Sequence, residues 1–425
     1  MRSVELFVGA GGLAMGASLA GFRPEVVVEW DRWACDTLRA NKARGYPLVA
    51  DWKIHEGDVR SFAWDSIEPD IDLLTGGPPC QPFSLGGKHR AHDDSRDMFP
   101  ATVDIVRRLR PKAFIIENVK GLTRSSFHNY YQYIQLQLQF PEKPRRLNED
   151  WQSHYQRLQA EHLSGEAHGR ELTYRLEPNL VNAADYGVPQ RRERVFIVGF
   201  RYDLQTTWKM PKATHSFESL VYDQWVTGEY WDRVNVARKQ RPTAPKSLEP
   251  LIRRLRQLSL MQDRDTKAWV TVREALARIP DPRKAGAERF LNHKFQPGAR
   301  PYPGHTGSPI DLPAKTLKAG DHGVPGGENM MVREDGERRE YRYFSVRESA
   351  ALQTFPTGYE LHGAWGEAMR QLGNAVPVLL AQQVASSVAV QLVEAQLRKM
   401  GFTSAAQFKA SLLNRALPNT IRGAA

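Results

Sequence analysis

Apolar and polar positions follow two rhythms over the first 120 or so residues: short apolar runs, then stretches with helical spacing. That alternation predicts βαβ units around a mostly parallel sheet with helices on both faces, an α/β fold. Val4–Val8 reads as a strand and Leu13–Ala20 as a helix, and Val26–Glu29 with Ala34–Asn41 repeats the pair. Ile71–Leu74 and Ala113–Ile116 read as further buried strands with a helix, Ala101–Leu109, between them, and Val195–Gly199 as another strand.

The rhythm breaks twice. Residues 124–165 run from Tyr130-Tyr131-Gln132-Tyr133 through a Pro/Lys/Arg-rich stretch into a polar helical pattern, which reads as an insertion whose aromatics pack locally. From about 201 the chain turns irregular, rich in Trp, Pro and Arg, and Pro297–Gly327 is dense in Gly and Pro, so loops are expected there. Regular patterns return at Val346–Phe355 and Val376–Val393. The spacing predicts an α/β domain over about 1–200, an irregular domain over 201–345 inserted before its last elements, a return over 346–400, and a tail over 401–425.

Charge changes the picture of the inserted segment. The 425 residues carry a net charge of +11, and residues 201–344 hold 26 Lys and Arg against 18 Asp and Glu. A basic surplus concentrated in one segment points to a polyanionic partner. No apolar run reaches the roughly 18–20 residues of a membrane span, so no membrane is expected. Met1–Phe22 is rich in Gly, Ala and Leu, but Glu5 interrupts it and its glycines have a nucleotide-loop spacing, which argues against a signal peptide. Two cysteines cannot form a disulfide framework and suit a cytoplasmic protein. His154, His162 and His168 lack partners at ligand spacing, so no metal is expected.

The chemistry sits at strand ends. Gly9-Ala10-Gly11-Gly12-Leu13-Ala14 follows the first strand and opens a helix, and Glu29 follows 20 residues after Gly9. Glycines allow the tight turn and close approach of a nucleotide, and the acidic residue bonds ribose hydroxyls. Asp58, after Gly57, has the character to accept from an adenine amino group. Gly76-Gly77-Pro78-Pro79-Cys80-Gln81-Pro82-Phe83-Ser84 presents one cysteine at the end of an apolar run, stiffened by prolines. Cys35, in a helical pattern with Ala34 and Leu38, reads instead as a buried thiol. Glu117-Asn118-Val119 and Gln190-Arg191-Arg192-Glu193-Arg194 flank two more strands, and Gly373-Asn374-Ala375-Val376-Pro377 is expected to open the last long helix.

A dinucleotide and S-adenosylmethionine are both served by such a glycine loop. A displayed thiol favours the second, because methylating cytosine at carbon 5 needs a nucleophile at carbon 6 to make the ring electron-rich. A carboxylic acid at ring N3 and an arginine at the ring carbonyl then stabilise the developing charge.

In this order the motifs resemble those of the DNA (cytosine-5)-methyltransferase family: Phe7-x-Gly9-x-Gly11-Gly12, Glu29-Trp30, Asp58-Val59, the Pro-Cys loop, Glu117-Asn118-Val119, Gln190-x-Arg192-x-Arg194, Arg347-Glu348 and Gly373-Asn374-x-Val376. The resemblance covers residues 5 to about 390 and implies a SAM-dependent methyltransferase fold of Rossmann-like type. It implies Cys80 as nucleophile, Glu117 at N3 and the amino group of a flipped cytosine, Arg192 at the carbonyl O2, and Arg194 orienting the thiolate or its loop. Phe7, Gly9, Gly11, Gly12, Leu13, Glu29, Trp30, Asp58, Val59, Pro78, Asn374 and Val376 would surround S-adenosyl-L-methionine, leaving S-adenosyl-L-homocysteine as product. The stretch Leu85–Arg90 resembles the family's mobile lid, with Gln81, Ser84, Lys88 and Arg90 as DNA contacts. Residues 201–345 would be the target-recognition domain, with Lys315, Thr316, Leu317 and Lys318 as a recognition element and Asp321–Gly327 as a groove-entering loop. Double-stranded DNA is the implied partner, a monomer is expected, and a restriction endonuclease sharing the site is the implied counterpart. The resemblance places the protein in the cytoplasm, nucleoid-associated through DNA. An RNA (tRNA) cytosine-5 methyltransferase is the alternative, against which the long basic segment argues.

Overall fold

A seven-stranded sheet forms the centre of the computed structural model, which describes residues 1–79, 97–167, 169–258, 265–303, 306–319, 329–335, 338–402 and 407. Along the chain come β1 (Arg2–Leu6), α1 (Gly12–Leu19), β2 (Arg23–Glu29), α2 (Arg32–Ala43), β3 (Ile54–Glu56), β4 (Leu73–Gly76), α3 (Phe99–Leu109) and β5 (Ala113–Val119). They are followed by α4 (His128–Gln139), α5 (Trp151–Ser164), β6 (Tyr174–Asn182) and β7 (Glu193–Arg201). The strand order is β3-β2-β1-β4-β5-β7-β6, the first five and β6 running one way and β7 between β5 and β6 running against them. Order reverses between β1 and β4, which opens the crevice where α/β sheets bind ligands.

The α/β pattern is the one the sequence predicts, with shifted ends. Phe7 takes a left-handed φ of 52°, which stops β1 at Leu6 instead of Val8. β6 was not anticipated. It is the sheet edge, largely solvent-facing, with Pro178 and charged residues blunting it, so its apolar signal is weak.

Two cores cover the sheet faces. On one side α3, α4 and α5 pack on β1, β2, β4 and β5 through residues including Phe99, Phe114, Ile134 and Leu158. On the other, α1 packs against the C-terminal helix described below through Leu13, Ala17, Leu380 and Val384. The aromatics of 124–165 do pack locally: the Tyr133 ring lies 5.7 Å from Trp151 and 6.1 Å from Tyr155. His154 is buried among them, with its nitrogens 2.8 Å from Tyr133 Oη and from the Lys143 carbonyl.

The irregular segment holds small pieces: β8 (His215–Ser216), α6 (Phe217–Tyr222), α7 (Glu229–Arg233), α8 (Glu249–Leu258), β9 (Lys267–Ala268), α9 (Val272–Ala275), β10 (Ser308–Pro309) and the hairpin β11 (Met330–Asp335) and β12 (Arg338–Tyr343). Its own clusters, around Tyr230 with Trp231 and around Val221 with Ile252, are small. Val272, Ile310, Ala314, Leu317 and Met331 instead join a third core shared with Ala10, Met15 and the returning helices. The segment is therefore built onto the glycine loop's own support.

The chain returns as α10 (Val346–Leu352), α11 (Trp365–Asn374) and α12 (Val378–Lys399). Here one expectation is corrected: Gly373 and Asn374 close α11, and Ala375–Pro377 is an extended link before α12. Proline disfavours helical geometry in the residue before it, which separates the two helices. By length and composition Trp365–Lys399 is long and apolar enough to cross a membrane, but 56% of its most apolar stretch is buried inside the protein, as befits a core helix.

Candidate active site

The glycine loop leaves β1 at the sheet's reversal point. Phe7, Gly9 and Gly11 all have positive φ, so the backbone curls back on itself before α1. A side chain on Gly9 would meet nothing within 4 Å, which leaves open space above the loop. A Cβ on Gly12 would overlap the Val376 carbonyl oxygen, so the loop touches the α11–α12 link backbone to backbone. Tyr359 closes the loop from below, its buried hydroxyl donating to the Ala10 carbonyl at 2.8 Å. The Arg347-Glu348 motif supports this from α10: Arg347 donates to the Tyr359 carbonyl, and Glu348 is gripped by Arg342 at 2.7 and 2.8 Å.

Glu29 ends β2 and faces the loop. Its carboxylate accepts from the backbone N–H of Gly9 (2.7 Å), Trp30 (2.9 Å) and Asp31 (2.8 Å), while burial pushes its pKa up. Trp30 beside it is 69% exposed, an apolar platform left uncovered. Asp58 is held by Arg60, which lowers its pKa, and Val59 is buried. Leu13 and Val376 are buried, and Asn374 is exposed. Open space over a left-handed glycine, an acidic residue at the next strand end and an exposed indole together fit an adenosyl cofactor. Cys35 lies apart, fully buried, its thiol pushed up to about 12 by burial.

The neighbouring strand ends carry the second half of the site. β4 leads into Gly77 and Pro78, and the Asn118 amide donates to the Pro78 carbonyl at 3.0 Å. A Cβ on Gly77 would lie 3.2 Å from Glu117 Oε2. β5 and β7 run antiparallel with Val119 opposite Arg194, so Glu117 and Arg194 meet diagonally on one face. Arg194 Nε is 2.8 Å from Glu117 Oε1, and both side chains are about nine-tenths buried. Burial pushes the Glu117 carboxyl above the usual range even so, Arg194 pulling it back only in part. Gly77 and Asn118 therefore set the distance between the proline loop and the carboxyl, a role that no motif spacing discloses.

Arg192 is not placed as expected. Its guanidinium is wholly buried and donates to the carbonyls of Leu317 (3.0 Å), Gly373 (2.5 Å) and Ala375 (3.0 Å). Its hydrogen bonds go to the segment around Leu317 and to the end of α11 and not to Glu117, although its charge, like that of Arg194, acts on that carboxyl. Of the two arginines, only Arg194 stands beside the carboxyl.

The stretch around Ala314–Lys318, expected from the sequence to be a recognition element, lies as a strap on Pro189–Arg192. Ala314 exchanges backbone hydrogen bonds with Pro189 and Arg191, and Thr316 Oγ1 donates to the Arg191 carbonyl at 2.7 Å. Leu317 is 1% exposed and donates its N–H to Gln190 Oε1, so its side chain packs the core and is not available to DNA. Lys315 donates to Thr306 Oγ1, and Lys318 is exposed. Cys80, Gln81, Ser84, Lys88, Arg90, the expected lid 85–90 and the loop 321–327 lie outside the described residues.

A sheet with this strand order, a glycine loop at its reversal and a buried acid beside a proline loop define the class of SAM-dependent methyltransferases. The chain belongs, within it, to the C-5 cytosine-specific DNA methylase family, whose model matches residues 1–140 and 167–389 and passes over the stretch that holds α5. It is 30% identical over 91% of its length to the Type II methyltransferase M.PspPI of Psychrobacter, covering 78% of that protein. It is 28% identical over 92% to M.AplI of Arthrospira platensis, covering 86%. A methyltransferase encoded within an E. coli prophage shares the fold, with a TM-score of 0.53 and 22% identity over 93% of this chain and 100% of that one. The family acts on DNA, and the RNA alternative is not favoured.

Proposed function

We propose that the protein methylates carbon 5 of a cytosine flipped out of a specific duplex sequence, as the modification enzyme of a restriction-modification system or a solitary methyltransferase. The observation that carries this is the buried Glu117–Arg194 pair beside the proline loop, with β4 alone between its strand β5 and the strand of the glycine loop. A base in the duplex is out of reach of such a site, so it must leave the stack. The Cys80 thiolate adds to ring carbon 6 and breaks the 5,6 double bond. Glu117, whose pKa burial raises, acts as the acid at N3, where negative charge develops. Arg194, in place of Arg192, offers its cation to the ring carbonyl O2 beside that acid. S-adenosylmethionine would be held by Gly9, Glu29 and Trp30 with Phe7, Gly11, Asp58 and Val376 around it, and would supply an electrophilic methyl group to carbon 5, leaving as S-adenosylhomocysteine. Afterwards the carbon 5 proton is lost, the double bond re-forms and the Cys80 sulfur departs.

Lys315, Thr316 and Lys318 remain the residues of the strap that face DNA in this reading, and Gln81, Ser84, Lys88 and Arg90 are further contacts in it. The protein acts as a monomer in the cytoplasm, and a cognate endonuclease need only share its site. Tritiated S-adenosylmethionine offered with duplex DNA and with tRNA tests the whole. Label in DNA from wild type but not from Cys80→Ser is expected, and label in tRNA alone would sink the reading.

A further inference from the structure

The Arg192 guanidinium draws three segments, distant in sequence, onto one point. Leu317 belongs to the strap 315–318. Gly373 and Ala375 end α11 and precede Val376, whose carbonyl oxygen stands where a Gly12 Cβ would be. Two residues further along its own strand is Arg194, paired with Glu117. The contact is backbone on backbone: a Cβ on Gly373 would overlap Lys318 and Ala319. Gln190 completes the joint, accepting from both Leu317 N (3.0 Å) and Arg192 Nη1 (3.4 Å).

A wholly buried cation is tolerable only where its hydrogens are satisfied. Here the carbonyls of Leu317, Gly373 and Ala375, the last two at the negative end of α11, and the Gln190 amide oxygen take up its two Nη groups, while Nε has no partner. Moving either the strap or the end of α11 away from Arg192 strips an acceptor from that charge, so the arrangement favours their moving together with it.

We propose that Arg192 is a positioning residue that couples the seating of strap 315–318 on DNA to the closing of the glycine loop on its cofactor. This rests on the methyl-transfer reading. Each ligand then tightens the other, since linkage is reciprocal.

Bisulfite sequencing of a plasmid treated with the wild-type enzyme first gives the cognate duplex. A plasmid left unmethylated would sink the methyl-transfer reading itself. S-adenosylhomocysteine, which does not react, is then titrated calorimetrically with and without that duplex. In wild type the duplex is expected to tighten its binding about tenfold, within the usual range of coupling between sites. Arg192→Lys keeps the charge but loses the planar fork. In that variant the tightening is expected to disappear, while S-adenosylhomocysteine alone still binds. A folded Arg192→Lys protein with the wild-type tightening overturns the proposal, and so does a wild type with none. If Arg192→Lys fails to fold, Gln190→Met removes the acceptor of Leu317 N and is read by the same two outcomes.

Discussion

Glu117 has a carboxyl whose ordinary pKa would leave it ionised at neutral pH, and burial between β5 and β7 pushes it up. The sign follows directly. A raised pKa keeps the acid protonated to higher pH, so a step that needs the proton slows as pH rises through that value. Glu117→Gln cannot titrate: kcat is expected to fall about 100-fold or more, the range of general acid catalysis, and the alkaline decline due to this group should vanish from the pH–rate profile. A variant with an unchanged profile would remove Glu117 from the chemistry. Arg194→Met is expected to lower kcat more than it raises the KM for DNA, because Arg194 stands beside the acid and not on the strap. Steady-state kinetics on the cognate duplex separate the two parameters. The strand-end placement of Glu117 and of the glycine loop was legible from sequence because motif spacing records chemistry. Which of two arginines two residues apart faces the acid depends on where β7 begins and on what Leu317 and Gly373 offer to the other. No local pattern holds that.

At the scale of elements, glycines mark where one backbone passes over another. Gly373 in α11 lies against Lys318 and Ala319 with no room for a methyl group. Gly373→Ala is expected to destabilise by about 1–3 kcal/mol, as overpacking does, and to lower the urea midpoint measured by circular dichroism. An unchanged midpoint would mean that the strap is free to move off α11. β1, β2, β4 and β5 were legible because they carry runs buried on both faces, unlike the half-exposed parallel edge strand β3. β6 was not, being a charged edge strand with Pro178 in it. The α11–α12 link was misread as the opening of one helix, although Pro377 marks the break.

On the scale of the whole molecule, charge and core are distributed differently. The basic surplus lies in 201–344, yet much of that segment's apolar packing joins the core beneath the glycine loop. Sequence patterns showed the charge and missed the shared core, because Val272, Ile310, Ala314 and Leu317 are scattered among loops without periodicity. Binding to duplex DNA is expected to weaken steeply with salt, log affinity falling linearly with log salt concentration as counterions are released. Fluorescence anisotropy over a salt series measures the slope, and a flat line would deny the segment its phosphate contacts. The central claim is that a cysteine attacks a flipped cytosine. Its most direct measurement is a denaturing gel of the protein incubated with S-adenosylmethionine and a cognate duplex carrying 5-fluorocytosine, whose carbon 5 has no proton to lose. A band retaining the DNA through Cys80, absent for Cys80→Ser, is expected; wild type that methylates ordinary DNA yet traps no fluorinated duplex would contradict the claim.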